Sequence, residues 1–260
     1  MSNMEFCYAS YFNTTTMASI TSGTTSVANL FDRKNNTFYR SSGFNDDTTA
    51  TTIRLDLGTS QNINRIVLEG INWKSFKIYH SSNTANTFTL LNAPTTASDW
   101  TGNSTTNMYL EFATVAAQII TIDATTTMVA NQEKICSGIW VLEKYHAFTD
   151  NPTANDYDPL YESTQYKHEM SDGGVAVYYI QDTFSCKISR KYVDPTEYDY
   201  IYGLFTLNDA FVFVPFPTGT GWDGKIWLVN WTGNFDGMQY THNYKGNGYS
   251  VKMTFEECAK

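Results

Sequence analysis

Six residues in the first half of the chain combine aromatic rings with groups that form hydrogen bonds. Aromatic rings can stack on the apolar faces of sugar rings, and neighbouring Asn or Arg side chains can bond to hydroxyl groups. The candidates for such a binding site are Tyr39, Arg40, Phe44, Asn72, Trp73 and Trp100. Trp100 lies in the polar run SDWTGNS and is predicted to be exposed, although an exposed Trp also marks protein interfaces.

The residue types that commonly carry catalysis form no recognisable site. Motifs such as G-x-S-x-G, the P-loop and H-E-x-x-H are absent from the sequence. Adjacent acids such as Glu256 and Glu257 point to opposite faces of a strand, so they cannot act as an acid/base pair. The four histidines, which are isolated in sequence from any nucleophile or metal ligand, are His80, His146, His168 and His242. We therefore predict no enzymatic activity, with a hydrolase whose site is assembled from distant residues as an alternative.

The segment from Asn29 to Tyr79 contains three predicted strands in close succession. In IRLDLG, the apolar residues Ile53, Leu55 and Leu57 alternate with charged residues, and Gly58 ends the run. This alternation is typical of a half-buried strand. Two further strands follow at RIVLEGI and WKSFKIYHS, and the sequences MYLEF, AQIITIDAT and SGIWVLEKYH predict three more before residue 147.

The order of these pieces resembles one family. The phrase "LFD, aromatic, Ser", followed by I-x-L-D-L-G, I-x-x-I-x-L and F-K-I-Y-x-S, is similar to the discoidin, or coagulation factor V/VIII type C, family of galactose-binding-like domains. The resemblance covers residues 1–147 and implies a jelly-roll β-sandwich. Members of this family mostly bind glycans, lipid headgroups or protein partners through loops at one end, so the resemblance implies recognition and not catalysis.

The resemblance also implies a calcium turn. In carbohydrate-binding members, an Asp after a hydrophobic pair begins a turn that wraps a structural calcium ion, and here Asp32 matches that position. Asn35 and Thr37 would supply further oxygens. Where the family commonly has Gly, this chain has Arg33, whose charge and Cβ both disfavour a cation-binding turn. We therefore predict a solvated β-turn and no cofactor, with a calcium site as the alternative.

Tyr39 and two cysteines are interpreted from the same resemblance. Tyr39 stands where the family usually has a buried Trp, so it is predicted to belong to the core. Cys7 and Cys136 lie near the two ends of the predicted jelly roll, where a disulfide could join them, but free thiols are predicted for all four cysteines because no C-x-x-C pair occurs.

Length and charge limit the remaining choices. A chain of 260 residues is predicted to hold two domains. Its net charge of −9 disfavours nucleic acid and anionic membranes as partners. No secretion signal and no apolar stretch of about 18 residues occurs, so we predict no membrane insertion and synthesis in a cytoplasm.

The second half is predicted to be a β-rich α+β domain over residues 171–260, after a linker over 148–170. The runs VAVYYIQ and FSCKISRKYV predict a strand pair. In DPTEYDYIYGLF, Asp194 can cap a short helix, Pro195 can be its first residue, and Glu197 can complete a capping box. The helix is predicted to turn Tyr198, Ile201, Tyr202 and Phe205 to one face.

This second half weakly resembles structural proteins of bacteriophage tails, through HEMSDGG, a strand pair, a capped helix and V-N-W-x-G-x-F. The leading hypothesis is therefore a structural component of a tail or phage-like particle, located in the virion after assembly in the host cytoplasm. Its expected partners are other tail proteins, further copies in a homo-oligomeric ring, and a cell-surface glycan. The alternative is a glycan-binding module of a secreted or enzyme-associated protein.

Overall fold

The computed structural model describes residues 3–14, 18–20, 27–33, 37–41, 46–84, 88–91, 99–153, 155–171, 173–217, 225–242 and 246–258. These residues form two compact units. The first lies within residues 1–145 and 214–225, and the second within 146–213 and 226–259.

The first unit is an antiparallel β structure. A seven-stranded sheet has the order β10-β4-β8-β5-β6, with β2 added to β4 and β7 added to β5, and a separate pair joins β3 to β9. A short 3₁₀ helix spans Val27–Leu30. The strands are β1 (Glu5–Tyr8), β2 (Ala18–Ile20), β3 (Tyr39–Arg40), β4 (Thr51–Glu69), β5 (Trp73–Ser81), β6 (Thr89–Leu90), β7 (Asp99–Trp100), β8 (Met108–Thr127), β9 (Ile135–Cys136) and β10 (Gly138–Leu142); β11 (Lys144–Ala147) follows in the chain.

Strand β4 carries both the predicted alternation and a change of face. Ile53 and Leu55 are buried in the main hydrophobic core, as the alternating pattern predicts. The pairing with β8 shifts register between Ile63 and Arg65. This irregularity moves the core positions from odd to even residues, because one extra residue in a strand reverses the faces of all that follow. Ile66 therefore lies in the core, and Arg65 faces the other side of the sheet.

The second unit is a mixed β-rich unit with one helix among its described residues. Its sheet has the order β14-β15-β17-β13-β12, and β16 pairs with β17. The elements are β12 (Tyr157–Glu169), β13 (Val175–Val193), α1 (Pro195–Thr206), β14 (Phe211–Val214), β15 (Trp227–Trp231), β16 (Asp236–His242) and β17 (Gly246–Glu257). The predicted fold class, mostly β with one short helix in the second half, is confirmed.

Helix α1 begins where the sequence predicts, but its side chains are used differently. The Asp194 side chain accepts a hydrogen bond from the Glu197 backbone N–H at 2.9 Å, and Pro195 is the first residue. The Glu197 carboxylate, however, is buried and accepts hydrogen bonds from Arg190 and Thr149, so it does not serve the predicted capping box. Ile201 is buried as predicted, whereas Tyr202 is 48% exposed.

Residues 157–169 of the predicted linker are instead strand β12, which pairs with β13 along its whole length. The sequence offers no hydrophobic alternation here because β12 is the last strand of the sheet and is exposed over most of its length. Pairing with β13 therefore makes this segment a strand although none of its described side chains is buried. The domain boundaries themselves stay predictions.

Two general expectations can be compared with the structure. None of the helices among the described residues is long and apolar enough to cross a membrane. Cys7 and Cys136 are both buried and are not joined by a disulfide, and Cys186 and Cys258 are also unbridged. The Cys136 thiol lies 3.4 Å from the carbonyl oxygen of Gly138. Burial raises the pKa of the Cys7 and Cys136 thiols well above the ordinary value, which makes both groups unreactive.

Candidate functional site

A polar cleft lies in the first unit at the end of β5. Its volume is about 350 Å³, within the range of pockets that hold small ligands. Pairing of β5 with β6 sets His80 opposite Thr89, and pairing with β8 sets His80 opposite Ile120 on the other side. The residues that line the cleft are His80, Ser81, Ser82, Asn83, Thr89 and Ala116.

The turn after β5 is held by its own hydrogen bonds. The Ser81 hydroxyl donates to the carbonyl oxygen of Asn83 at 2.8 Å and accepts from the Asn83 backbone N–H at 3.4 Å. Ser81 is buried, whereas Ser82 and Asn83 are exposed. The turn therefore presents a hydroxyl and an amide to solvent from a backbone that is already fixed.

His80 contributes an uncharged ring to the cleft. Burial lowers the pKa of His80, and a hydrogen bond to the backbone of Ala116 opposes this shift only in part, so the imidazole is neutral near pH 7. The Nδ1 atom is enclosed and has no hydrogen-bond partner among the described residues. The ring therefore lines the cleft with one nitrogen engaged and with Nδ1 closed off from solvent.

The cleft has hydrogen-bonding capacity without charge. The part of its lining that the structure describes contains hydroxyl, amide and imidazole groups and no Asp, Glu, Lys or Arg. Phe88, which precedes Thr89 in the chain, is 37% exposed, and the guanidinium of Arg54 lies 5.7 Å from the centre of its ring. Such a lining suits a neutral ligand that carries hydroxyl groups, and it contains no pair of carboxyl groups for acid/base chemistry.

The cleft lies within a region that matches a known protein family. Residues 13–139 match the family model described as the F5/8 type C domain. This part of the chain is a discoidin-like domain. A search of curated protein sequences finds no match.

Several solved structures are similar to this part of the chain at low sequence identity. Chitosan-binding module 1 of a chitosanase/glucanase from Paenibacillus sp. IK-5 is 17% identical, with a TM-score of 0.43, over 52% of this chain and 98% of that chain. The family 32 carbohydrate-binding module of NanJ from C. perfringens, solved in complex with galactose, is 18% identical, with a TM-score of 0.39, over 48% of this chain and 92% of that chain. The similarity predicted for bacteriophage tail proteins is not shown by these comparisons.

The discoidin-like domain buries both tryptophans predicted to bind ligand. Trp73 is 1% exposed and Trp100 is 6% exposed, and Trp100 stacks on Phe76 with ring centres 4.6 Å apart. The prediction that Trp100 is exposed is wrong, because β7 pairs Trp100 with Phe76 of β5 and so carries a polar-looking loop residue into the core. Tyr39 is 1% exposed, which confirms its prediction as core.

Two other predicted residues meet at the loop before β9. The Arg40 guanidinium lies 3.7 Å from the Glu133 carboxylate, and both side chains are about half exposed. The Asn72 side chain donates to the Glu133 carbonyl oxygen at 2.8 Å and accepts from the Ile135 N–H at 3.0 Å. Asn72 therefore holds the backbone of this loop. Phe44, which is also predicted to bind ligand, is outside the described residues.

The predicted calcium turn is described in part. The Thr37 hydroxyl donates to the Asp32 carboxylate at 2.7 Å, so two of the predicted oxygen donors lie together, and Asn35 falls outside the described residues. Arg33 has a φ of 60°, the left-handed conformation that glycine adopts most easily. Within the described ranges, no cluster of three or more His, Cys, Asp or Glu side chains could hold a metal ion. Calcium binding stays a prediction.

Sequence reasoning did not select the cleft residues. His80 belongs to the predicted strand WKSFKIYHS, and Ser82 and Asn83 belong to the polar run SSNTANT at its end. That dense polar run directly after a strand was the available signal. Whether this run lines a cleft depends on β6 and β8. Both strands pair with β5, and this pairing cannot be predicted from the run itself.

Proposed function

We propose that the discoidin-like domain is a non-catalytic binding module for neutral carbohydrate, with the cleft at the end of β5 as its site. The observation that carries this proposal is the cleft of about 350 Å³, whose described lining combines Ser, Asn, Thr and His side chains with one alanine and no charged side chain. Sugar hydroxyls both donate and accept hydrogen bonds, and the serine and asparagine side chains can serve both roles.

The other ligand classes bound by this family fit the cleft less well. Anionic lipid headgroups need basic side chains, which the lining lacks, and the chain has a net charge of −9. Protein partners usually bind through a broader surface with exposed aromatic anchors. The tail-protein role predicted from the sequence has no structural observation in its favour, and the virion location stays a prediction.

The test is binding of the whole chain to neutral oligosaccharides. A glycan array should first identify a ligand, and calorimetry should then measure its affinity for wild type and for Asn83→Ala and Ser82→Ala. Each substitution removes hydrogen bonds to the ligand, so the affinity should fall about tenfold. The control is Asn230→Ala, because Asn230 is an exposed asparagine on β15 of the second unit.

Two results would overturn the proposal. One is failure to bind any neutral glycan on the array. The other is binding that survives both cleft substitutions but is lost in Arg40→Ala, which would move the site to the loop around Glu133.

A further inference from the structure

One hairpin of the second unit extends beyond the sheet that supports it. Strand β13 pairs with β12 over residues 175–188, whereas its described pairing with β17 begins only at Ser185. The part of the hairpin formed by residues 162–169 and 175–183 is therefore a two-stranded arm with no third described strand beside it. We call these residues the hairpin arm.

The hairpin arm carries apolar side chains that are exposed to solvent in a single chain. Tyr166 is 60% exposed, Val175 is 56% exposed and Val177 is 53% exposed. A two-stranded hairpin is only marginally stable in water, and an unpaired strand edge is a template for another strand. A partner strand would extend the sheet and lie beside the exposed Tyr166 side chain of β12.

A single proline indicates which residues of β12 face the open edge. Pro159 lies within β12 and pairs with Cys186 of β13. A proline in an edge strand turns its nitrogen away from the neighbouring strand, because it has no N–H to donate to the ladder. The register of the hairpin shifts between Thr164 and Gln165, but the extra residue lies in β13, so the alternation along β12 continues. The odd-numbered residues therefore share the direction of Pro159, and Ser163, residue 165 and Lys167 direct their backbone N–H groups to the open edge.

We propose that β12 pairs with β12 of a second copy of this chain, antiparallel and centred on residue 165. This register leaves Pro159 outside the paired segment, so no hydrogen bond is lost to it. It places Glu162 opposite His168 and Ser163 opposite Lys167, and no two like charges face each other. The two arms then form a four-stranded sheet across a two-fold axis.

This pairing goes beyond the proposed carbohydrate binding and does not depend on it. It would join two discoidin-like domains in one molecule. Linked binding sites gain avidity whenever both can engage the same polymer. A dimer that binds no sugar would leave the pairing intact and contradict only the binding proposal.

The first test is the mass of the whole chain in solution. Light scattering coupled to size-exclusion chromatography should give twice the 29.4 kDa of one chain. Ser163→Pro should return the mass to that of one chain, because it removes an outward-facing N–H at a position equivalent to Pro159. Ser163→Ala keeps the N–H and should remain dimeric, and circular dichroism checks that both variants are folded.

The second test fixes the register. Residue 165 faces its own copy, so Gln165→Cys should form a disulfide-linked dimer under mild oxidation. Lys167→Cys faces Ser163 of the other copy, so alone it should not crosslink, but mixed with Ser163→Cys it should. A monomer at all concentrations would overturn the proposal. So would a dimer that persists in Ser163→Pro or is crosslinked through Val177→Cys on the opposite edge of the arm.

Discussion

Each unit buries one arginine with a glutamate, and the two networks differ in completeness. In the first unit, Arg65 is 3% exposed and bonds to both carboxylate oxygens of Glu5 at 3.0 Å. It also bonds to Glu111 at 2.9 Å and to the Asn64 carbonyl oxygen at 2.8 Å. The Tyr109 hydroxyl donates to Glu5 as well. This network fastens β1 to the face of β4 and β8 that lies opposite the main core.

In the second unit, the corresponding arginine has fewer ionic partners. Arg190 reaches one oxygen of Glu197 at 3.2 Å, donates to the Asp150 carbonyl oxygen, and lies 4.7 Å from the centre of the Phe148 ring. It therefore ties β13 to the start of α1 and to the segment after β11. The comparison shows one buried arginine bonded to two carboxylates and another that contacts one carboxylate, a carbonyl and a ring, while its buried Nε has no hydrogen-bond partner among the described residues. We expect the first to be the harder to replace.

The largest effect is expected from Arg65→Met. This change keeps the length of the side chain but leaves the buried Glu5 carboxylate without its cation. Breaking one partner of a buried pair costs about 3–5 kcal/mol. Urea unfolding of the whole chain, followed by circular dichroism and tryptophan fluorescence, would measure the loss in the free energy of unfolding.

The matched control is Arg54→Met on the same strand, where the side chain is only partly buried. Arg54→Met should lower the free energy of unfolding by less than about 1 kcal/mol. Equal losses from the two substitutions would contradict the role given to the buried network.

Glu197→Gln should have a smaller effect, about 2–3 kcal/mol, because one side-chain hydrogen bond remains available to Arg190 after the charge is lost. The helix cap at Asp194 is untouched, so the helix itself should persist in circular dichroism. Glu256→Gln, at an exposed position on β17, is the control and should change the unfolding free energy by less than about 0.5 kcal/mol. If Glu197→Gln costs as much as Arg65→Met, the difference between the two networks does not hold.

Two glycines with left-handed backbones sharpen the comparison of the units. Gly70 in the first unit has a φ of 58°, and a Cβ there would lie 2.3 Å from the Ser137 hydroxyl oxygen. Gly233 in the second unit has a φ of 78° with nothing within 4 Å of an added Cβ. Gly233→Ala should lower the free energy of unfolding by about 1 kcal/mol, because only the backbone conformation is strained. Gly70→Ala should lower it by about 2–3 kcal/mol, because a clash with Ser137 is added. Thermal unfolding of both variants measures the difference, and equal costs would mean that Ser137 moves aside freely.

Local sequence was a good guide wherever one element decides its own structure. The alternation of Ile53 and Leu55 predicts a strand, and the chain Asp194-Pro195 predicts a helix start, because strand alternation and helix capping both act within a few residues. The same local reasoning was wrong for Trp100 and for the Glu197 side chain. Both are fixed by partners distant in sequence, Phe76 in one case and Arg190 in the other.

The candidate cleft cannot be predicted from local sequence. Its polar turn at Ser82 and Asn83 is visible in the sequence, but the concavity needs Thr89 from β6 and Ala116 from β8 beside it. Register between strands depends on the whole buried face, and only the structure fixes it. Polar residues at a strand end therefore indicate a turn, and strand pairing decides whether that turn lines a site.

The smallest expected effect concerns the pH dependence of the first unit. Burial holds the pKa of His80 below its ordinary value of 6.5, so the unfolded chain binds more protons than the folded chain just below that pH. Stability from this group is therefore fully present above pH 6.5 and is lost as the pH falls through the lowered pKa. His80→Gln should flatten the slope of unfolding free energy between about pH 5 and 6.5. The change should be only about a few tenths of a kcal/mol, since solvent reaches much of the ring. An unchanged slope, measured by urea unfolding at several pH values against wild type, would show that the pKa of His80 is the same in the folded and the unfolded chain.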